Sequence, residues 1–438
     1  MKIHIWCQSY AACPGGIQTF TRFVVRALGE VFPGAEICVF AKYDGSGPIN
    51  VREGGDVFAS TRDESATQKE TDIRVLGFGK WPGPVRAVAF AFGVVWHAIR
   101  AGWMPRRGVP TIIISTHVNF APVAGIVKRF VGHVPFCVIG HGIEVWEIPN
   151  ASVRKALREA DQLVAVSDFT RQRMARVLEI NPERIDILPN TFDADRFQPG
   201  SKPSALLQRY GLTPEQPVIL TVARLAATEQ YKGYDQVLRA LPAVSQRFSN
   251  VRYVIVGDGP DKDRLGALSK ELGVEDKVVF AGYVPNEELA GHYSLCDVFA
   301  MPSKGEGFGI VFLEALSCGK PVIAGNKDAS VEAVLGGKLG TLVDPDDVAA
   351  IANAITRVLS ASSGQQSAVP PSPGFGVAGS DQRGDAVGTA ANTAINSTEL
   401  RREVIAAYGF EQFRQRVGEI VRKIVDGRHG DFVRWRRR

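Results

Sequence analysis

The sequence predicts an α/β protein with two doubly wound domains, each built on a parallel sheet covered by helices. Short β-like runs alternate with helical patterns along the chain, an order typical of strands that are joined by helices. The runs are continuously apolar, which indicates strands buried on both faces. Twelve such runs within 438 residues favour two domains over one large sheet.

The twelve predicted strands form two series of six. The first series is IHIWC (3–7), EICVF (36–40), TIIIS (111–115), FCVIG (136–140), QLVAV (162–166) and RIDIL (184–188). The second series is PVILTVA (217–223), RYVIVG (252–257), KVVFAG (277–282), DVFAMPS (297–303), KPVIAG (320–325) and GTLVD (340–344). Between them, FDADRFQPGSKPS (192–204) changes composition and is the predicted linker, so we expect domains over 1–195 and 205–358.

The C-terminal part contains a second change of composition. Residues 360–398 are rich in Gly, Ser, Ala and Pro without periodicity, which predicts a disordered insertion. A helical pattern resumes over 399–425 and is followed by a basic tail, 426–438. The five arginines and one tryptophan of RHGDFVRWRRR indicate either a solvated end or attraction to anionic lipid or nucleic acid.

Composition and charge are those of an ordinary globular protein, with 45% apolar residues and 51 Lys+Arg against 46 Asp+Glu. The opening MKIHIWCQSYAACPGG is interpreted as a strand and a glycine loop, not a signal peptide. Paired spacing is absent among the cysteines, so we expect reduced thiols in a cytosolic protein. They stand at positions 7, 13, 38, 137, 296 and 318.

The longest apolar run, AVAFAFGVVWHAI (87–99), has thirteen residues. A membrane span needs about 20, so the run predicts a core helix. A helix lying in the membrane interface is the alternative, because Trp81, Trp96 and Trp103 surround the run.

Two acids stand eight positions apart in KGEGFGIVFLEALSCGKPVIAG (304–325). Glu306 lies in a glycine loop that follows a predicted strand, at the sheet edge where ligands of open α/β folds bind. The glycines allow backbone amides to approach a ligand, and the helix that follows presents unpaired N–H groups to an anion. Glu314 lies among apolar residues and needs a polar partner, which a ribose or hexose hydroxyl would supply. The alternative is that neither acid binds a ligand, with Glu306 an ordinary acid near the start of a helix and Glu314 half-exposed.

Two cations follow the strand PVILTVA, namely Arg224 and Lys232. A pair of cations at the mouth of a strand-to-helix loop suits a diphosphate. Alone, such a pair is more often solvated surface, but in the same half of the chain as the Glu306 loop a diphosphate site is favoured. VIVGDGPDKDRL (254–265) has Gly257 and Gly259, but Lys262 stands where a dinucleotide fingerprint has its third glycine, so a hydride-transfer cofactor is disfavoured.

Three weaker features complete the set of candidates. The PGG loop (14–16) is either a turn or a backbone contact to phosphate and sugar. His141 follows a predicted strand and is either structural or functional. His117 also follows a predicted strand but is a weaker functional candidate. Asp193 and Asp195 form a DxD pattern in the linker and are interpreted as turn residues, so no metal site is predicted.

Taken in order, these motifs resemble those of retaining glycosyltransferases of family 4, which have the GT-B architecture of two Rossmann-like domains facing a central cleft. The resemblance covers most of 1–425 apart from 360–398, and its most specific piece is the E-x7-E element EGFGIVFLE. In family order follow the other segments, DQLVAVSDFTRQRM, ILPNTFDADRF, TVARL with YKG, VGDGP and GYVPNEELAGHYSLCDVFAMPS. YGFEQF resembles the family's closing segment, whose helix packs back on the N-terminal domain.

The resemblance implies roles for particular residues. Glu314 would bind the nucleotide ribose, Glu306 the donor sugar, and Tyr283 and Val284 would lie by the nucleobase. Gly16 would approach the diphosphate from the opposite domain. The residues implied in catalysis are His141, Arg224, Lys232 and Glu306. Those implied in donor binding are Gly16, Arg224, Lys232, Gly257, Tyr283, Val284, Glu306, Phe308, Gly309, Ile310 and Glu314.

By the same resemblance, the N-terminal domain would face the acceptor and the second domain would bind the donor. The implied activity is transfer of a hexose from a UDP- or GDP-sugar to a glycan or lipid-linked acceptor, with retention, in cell-surface polysaccharide or glycoconjugate synthesis. Neither a metal, a further cofactor nor a nucleic acid partner is expected. From the residues themselves we expect a cytoplasmic protein with weak, salt-sensitive contact to the inner face of the membrane, through 81–107 and the arginine tail. The alternatives are a nucleotide-sugar-binding protein without transferase activity and a GT-B epimerase or phosphorylase.

Overall fold

The computed structural model describes residues 1–10, 15–44, 73–77, 83–100, 111–130, 134–362 and 396–435. The strands of the first sheet are β1 (Lys2–Cys7), β2 (Glu36–Ala41), β3 (Ile73–Gly77), β4 (Thr111–Ser115), β5 (Phe136–Gly140), β6 (Gln162–Ala165) and β7 (Ile185–Ile187). Those of the second are β8 (Val218–Val222), β9 (Arg252–Val256), β10 (Val278–Gly282), β11 (Val298–Met301), β12 (Val322–Gly325) and β13 (Thr341–Val343).

Helices connect the strands within each sheet and follow the last of them. In the first half they are α1 (Gly16–Val31), α2 (Gly83–Arg100), α3 (Ala121–Phe130), α4 (Ile143–Trp146), α5 (Ala151–Arg158) and α6 (Asp168–Leu178). In the second half they are α7 (Ser204–Tyr210), α8 (Tyr234–Arg247), α9 (Lys262–Glu271), α10 (Asn286–Leu295), α11 (Ile310–Ser317), α12 (Ser330–Ala333) and α13 (Val348–Ser362). Two further helices, α14 (Ser397–Tyr408) and α15 (Phe410–Trp435), end the described chain.

The predicted fold class is confirmed, because both sheets are parallel and doubly wound. The strand orders are β3-β2-β1-β4-β5-β6-β7 and β10-β9-β8-β11-β12-β13. In each sheet the first strand lies in the interior, with the next two strands added on one side of it and the later strands on the other. The order of strands therefore reverses between β1 and β4 and between β8 and β11. Ligands of such sheets bind at the carboxyl ends of the strands at this reversal. The central strands are almost fully buried on both faces, which explains their continuously apolar sequences.

The first sheet has one strand that the sequence did not predict. β3 has the sequence IRVLG, in which Arg74 interrupts the apolar run. Among the described strands it pairs with β2 alone, at the edge of the sheet. Edge strands carry fewer buried positions, so their apolar pattern is weaker.

The predicted disordered insertion was too wide at both ends. α13 continues through Ser362, with Leu359 and Ser360 buried. α14 begins at Ser397, and the side chain of Asn396 caps it by accepting a hydrogen bond from the Thr398 amide at 3.1 Å. Residues 363–395 lie outside the described part of the chain.

The last helix is longer than the sequence indicated and lies on the first domain. α15 runs to Trp435, so it includes most of the predicted tail 426–438. The ring of Phe413 meets that of Phe20 on α1 edge-on, with centroids 5.5 Å apart. Further along, Lys423 forms an ion pair with Asp186 at 2.8 Å. α15 therefore joins the C-terminal end of the chain to the first sheet.

The apolar run of α2 has one buried face and one exposed face. Phe90 and Val94 are buried, and the ring of Phe90 stacks on that of Phe120 at 4.7 Å. Val85, Val88 and Phe92 are exposed, Phe92 by 68%. Among the described residues no helix is long and apolar enough to cross a membrane. Where its side chains are described, up to residue 94, the prediction of a core helix therefore holds for one face of α2. The side chains of Trp81, Trp96 and Trp103 lie outside the described part of the chain.

The cysteines within the described ranges are buried, and no disulfide joins any two of them. They are Cys7, Cys38, Cys137, Cys296 and Cys318. Cys13 lies outside those ranges.

Candidate active site

The carboxyl edges of the two sheets meet at the glycine loop that follows β11. A Cβ atom added to Gly307 would lie 1.7 Å from the carbonyl oxygen of His141, which follows β5. The Gly307 carbonyl in turn accepts a hydrogen bond from the hydroxyl of Ser167, at the start of α6, at 2.7 Å. Only a glycine permits so close an approach. The loop around Glu306 is thus shared between the two domains.

A second polar contact joins the domains beside this loop. The carboxylate of Glu332 on α12 accepts hydrogen bonds from the backbone amides of Asp168 and Phe169, both at 2.8 Å. These amides begin α6, where N–H groups have no partner within the helix and the helix dipole favours a negative charge. Glu332 therefore stabilises the arrangement in which the two sheet edges face each other.

The predicted cations and Glu306 form one charged cluster. Lys232 ends a 3₁₀ turn, Ala227–Lys232, after β8, and its ammonium group lies 2.9 Å from Glu306 and 3.7 Å from Glu229. Glu229 also pairs with Arg224. The Lys232 side chain is largely buried, whereas that of Arg224 is 74% exposed.

Charge in this cluster favours a protonated lysine. Burial lowers the pKa of Lys232, but Glu306 raises it, and the net direction is upward. Lys232 thus keeps its charge, and most of the Arg224 side chain is exposed to solvent. The cluster can hold an anion beside a group that accepts hydroxyl hydrogen bonds.

Glu314 lies in α11 and is buried. Its predicted need for a polar partner is met within the protein, because the Tyr293 hydroxyl donates a hydrogen bond to it at 2.7 Å. Burial raises the pKa of Glu314 to about 7, although the Tyr293 hydrogen bond acts in the opposite direction. The carboxyl group thus changes charge near neutral pH.

His141 follows β5, and its backbone amide donates a hydrogen bond to Glu144. The ring atom Nε2 lies 3.1 Å from the carbonyl oxygen of Thr116. A carbonyl only accepts hydrogen bonds, so Nε2 carries the proton and Nδ1 is left as an acceptor. The rings of His141 and Phe20 pack edge to face, with centroids 4.8 Å apart. Burial lowers the pKa of His141 to about 4, so the ring is neutral at physiological pH.

The helix that follows Glu306 starts in the way the glycine pattern predicted. Gly309 has φ 91° and precedes the first residue of α11, Ile310, and such a left-handed conformation favours glycine. The side chain of Phe308 is buried against the ring of Tyr408 on α14, with centroids 5.2 Å apart. Phe308 would therefore contact a ligand through its backbone, next to the start of α11.

The remaining predicted residues lie at other strand ends. Gly16 begins α1 after β1, and no atom of the described residues lies within 4 Å of a Cβ added there. Tyr283, 61% exposed, and half-buried Val284 follow β10. Gly257 has φ 132°, and a Cβ there would lie 1.8 Å from the carbonyl oxygen of Ala223, so packing alone requires this glycine.

Four acidic or hydroxyl side chains of the site were not predicted from the sequence. Glu229 lies between the two predicted cations, and its spacing of three from Lys232 was the available signal. The carboxylate of Asp328 accepts a hydrogen bond from the Glu306 amide at 2.7 Å. Neither Asp328 nor Tyr293 and Glu332 could be recognised from neighbouring residues, because their partners lie elsewhere in the chain.

The structure also bears on the DxD pattern and on metals. The carboxylate of Asp193 accepts hydrogen bonds from the amides of Asp195 and Arg196, at 3.1 and 3.2 Å. Asp193 is therefore a turn residue, as interpreted. In the part of the chain that the structure describes, no cluster of three metal-ligating side chains is present.

Comparison with known proteins places this geometry in a class. The chain is similar over its whole length to HepE of Anabaena in complex with UDP-glucose, with a TM-score of 0.69, 18% identity and coverage of 97% of this chain and 100% of that one. The fold is GT-B, as the resemblance implied. The family model for glycosyl transferases group 1 matches residues 205–369, and that for Glycosyltransferase Family 4 matches residues 14–196.

Two curated relatives define the family more closely. A GDP-mannose-dependent alpha-(1-6)-phosphatidylinositol monomannoside mannosyltransferase of Mycolicibacterium smegmatis is 38% identical over 55% of this chain and 65% of the relative. A GDP-mannose-dependent monoacylated alpha-(1-6)-phosphatidylinositol monomannoside mannosyltransferase of Corynebacterium glutamicum is 30% identical over 69% of this chain and 80% of the relative. The chain belongs to glycosyltransferase family 4.

Proposed function

We propose that the protein is a retaining hexosyltransferase that moves mannose from GDP-mannose to a lipid-linked, phosphoinositol-type glycan. The observation that carries the proposal is the Lys232–Glu306 pair, at 2.9 Å, beside the glycine-rich start of α11. The choice of donor and acceptor is supported by the two mannosyltransferase relatives, each at least 30% identical to this chain.

The chemistry follows from the charges that develop as the reaction proceeds. Breaking the bond between the sugar C1 and the phosphate oxygen builds negative charge on the departing diphosphate and positive charge on the sugar ring. Lys232, Arg224 and the amides at the start of α11 would stabilise the diphosphate, with Gly16 approaching it from the other domain. The largely buried Lys232 and the amides at the start of α11 are held in place by the fold, so they need no rearrangement as the charge develops.

The carboxylate and the histidine would orient the sugar. Glu306 accepts hydrogen bonds from sugar hydroxyls while Lys232 holds its carboxylate in place. Neutral His141, with Nε2–H bound to Thr116, offers Nδ1 to a hydroxyl near the reacting carbon. In same-face attack, an oxygen of the leaving phosphate takes the proton of the acceptor hydroxyl, and the new glycosidic bond keeps the configuration of the donor. Close contact of Gly307 with the first domain helps to exclude water, which is the competing acceptor.

The test is an assay of the purified protein with a panel of GDP- and UDP-sugars, with and without a phosphatidylinositol mannoside acceptor. We expect transfer from GDP-mannose, with slow hydrolysis when acceptor is absent. Binding without turnover by any donor would favour a nucleotide-sugar-binding protein. Donor conversion without acceptor would identify an epimerase, and a requirement for inorganic phosphate would identify a phosphorylase.

Donor binding should depend on pH through Glu314. Ribose hydroxyls donate to the ionised carboxylate, and in the free protein Glu314 is protonated below its pKa of about 7. The dissociation constant of GDP-mannose should therefore fall as pH rises from 5.5 to 7.5, by up to about tenfold per pH unit, and then level off. Calorimetric titration measures this change.

The matched control is Glu314→Gln, which should bind more weakly and show no such pH dependence. His141, with a pKa of about 4, does not titrate in this window. Equal dissociation constants at pH 5.5 and 7.5 for the wild-type protein would contradict the role of Glu314.

We further propose weak contact with the membrane surface through α2. Val85, Val88 and Phe92 are exposed at helical spacing on one face, as in helices that lie in the membrane interface. A lipid-linked acceptor is consistent with such a contact, and the basic end of α15 adds attraction to anionic lipid.

Sedimentation with anionic phosphatidylinositol vesicles tests this surface. We expect binding at low ionic strength that salt weakens, and a loss of about fivefold or more in the double variant Val88→Ser, Phe92→Ser. Ile126→Ser, which changes an apolar residue on α3 that is also exposed, is the control and should bind like the wild type. Wild-type protein that stays in the supernatant would contradict the proposal.

A further inference from the structure

Asp328 lies behind the Glu306 loop, in the segment between β12 and α12. Asp328 is 2% exposed, and both oxygens of its carboxylate accept hydrogen bonds from the protein. Oδ2 accepts from the hydroxyl of Ser303 at 2.8 Å and from the backbone amide of Glu306 at 2.7 Å. Oδ1 accepts from the backbone amide of Ser330 at 2.9 Å. Burial raises the pKa of Asp328, while these hydrogen bonds act in the opposite direction.

The segment holds Glu306 on both sides of its backbone. The amide of Glu306 donates to Asp328, and the carbonyl of Glu306 accepts from the Ala329 amide at 3.2 Å. The side chain of Glu306 then points to Lys232. Every main-chain polar group of Glu306 is thus bound by residues 328–329.

The loop needs such an anchor because of its composition. Glycines stand at 305, 307 and 309, and glycine loses the most conformational freedom when a loop is fixed. A buried carboxylate that accepts a backbone N–H makes a charge-assisted hydrogen bond, which is stronger than a neutral one. Asp328 supplies this bond at the residue that would contact the donor sugar.

We propose that Asp328 is a positioning residue for the transfer reaction, which acts by holding the backbone of Glu306 so that its carboxylate stays at the cleft. This inference rests on the proposed function. Displacement of a reacting or orienting group by about 1 Å can cost on the order of 100-fold in rate, so loss of the anchor should affect turnover more than donor binding.

A double-mutant cycle tests the proposal in the full-length protein. Asp328→Ala should lower kcat for mannose transfer by about 100-fold and change the KM for GDP-mannose much less. Asp328→Asn keeps one oxygen for Ser303 and Glu306 and should recover about tenfold of the loss. In a Glu306→Ala background, Asp328→Ala should cost less than about threefold more, because residues that act as a unit are not additive.

The matched control is Asp297→Ala, which removes a carboxylate before β11 at the opposite end of the strand. Asp297 accepts from the Val218 amide at 2.8 Å and pairs with Lys202 at 2.7 Å. This variant should lower the melting temperature and leave kcat within about threefold of the wild type.

Each outcome decides the matter. Wild-type kcat in Asp328→Ala, or full additivity with Glu306→Ala, would overturn the positioning role. If Asp328→Ala does not fold, the same cycle with Asp328→Asn decides between the two results. A wild-type protein that transfers no sugar from any donor would remove the proposed function itself, and with it this inference, before any variant is compared.

Discussion

Replacement of Lys232 by Ala is expected to lower kcat for sugar transfer by about 100- to 1,000-fold. Loss of one preorganised group that stabilises developing charge has an effect of this order. The ammonium group would lie at the leaving diphosphate, and it also pairs with Glu306 at 2.9 Å. Its removal takes away a positive charge and leaves a largely buried carboxylate beside the donor. Steady-state kinetics with GDP-mannose and acceptor measure the loss.

Lys304→Ala is the matched control for this prediction. Lys304 lies two residues before Glu306 but pairs with exposed Asp346 at the surface. Exposed pairs contribute about 0–1 kcal/mol, so activity and melting temperature should stay near those of the wild type. Equal losses in the two variants, or none in Lys232→Ala, would contradict the assigned role of Lys232.

Gly307→Ala is expected to lower kcat by about 100-fold. A Cβ at this position would lie 1.7 Å from the His141 carbonyl oxygen and 2.8 Å from the Cα of Gly142. These are backbone atoms that cannot move alone, so the loop must withdraw from the first domain. A shift of about 1 Å at the reacting centre has an effect of this order. Transfer and donor hydrolysis, measured together, should show a larger share of hydrolysis as water enters.

Gly266→Ala provides the comparison. Gly266 lies within α9 with no atom close to the added Cβ, and Ala is favoured over Gly in a helix by roughly 0.5–1 kcal/mol. This variant should retain its activity and melt at the same temperature or slightly higher. Gly307→Ala with wild-type kcat would show that the close contact between the loop and the first domain is not needed for transfer.

Most of the fold could be predicted from the sequence, because strands buried on both faces have a pattern that needs no knowledge of their neighbours. Twelve of the thirteen strands in the described residues coincide with predicted, mainly apolar runs. β3 did not, because Arg74 breaks its run at the edge of the sheet. The ends of α13 and α15 were predicted too early, because low-complexity and basic sequences weaken the helical pattern. In the structure, Leu359 and Ser360 near the end of α13 are buried.

The candidate site could be predicted in part. Glu306 and Lys232 follow strands β11 and β8, which pair directly, so their contact agrees with the chemistry that the sequence indicated. Their roles remain predictions. The supporting residues could not be found in this way, because Asp328 and Glu332 act on partners 22 and 164 residues away. Such pairs depend on the three-dimensional arrangement and have no fixed spacing in the sequence.

A crystal structure of the protein with bound GDP tests the account most directly. We expect the diphosphate oxygens within about 3.2 Å of the side-chain nitrogens of Lys232 and Arg224, and the ribose hydroxyls at the Glu314 carboxylate. A nucleotide bound elsewhere, or one whose diphosphate points away from Lys232 while Glu314 keeps only Tyr293 as its partner, would contradict the central claim.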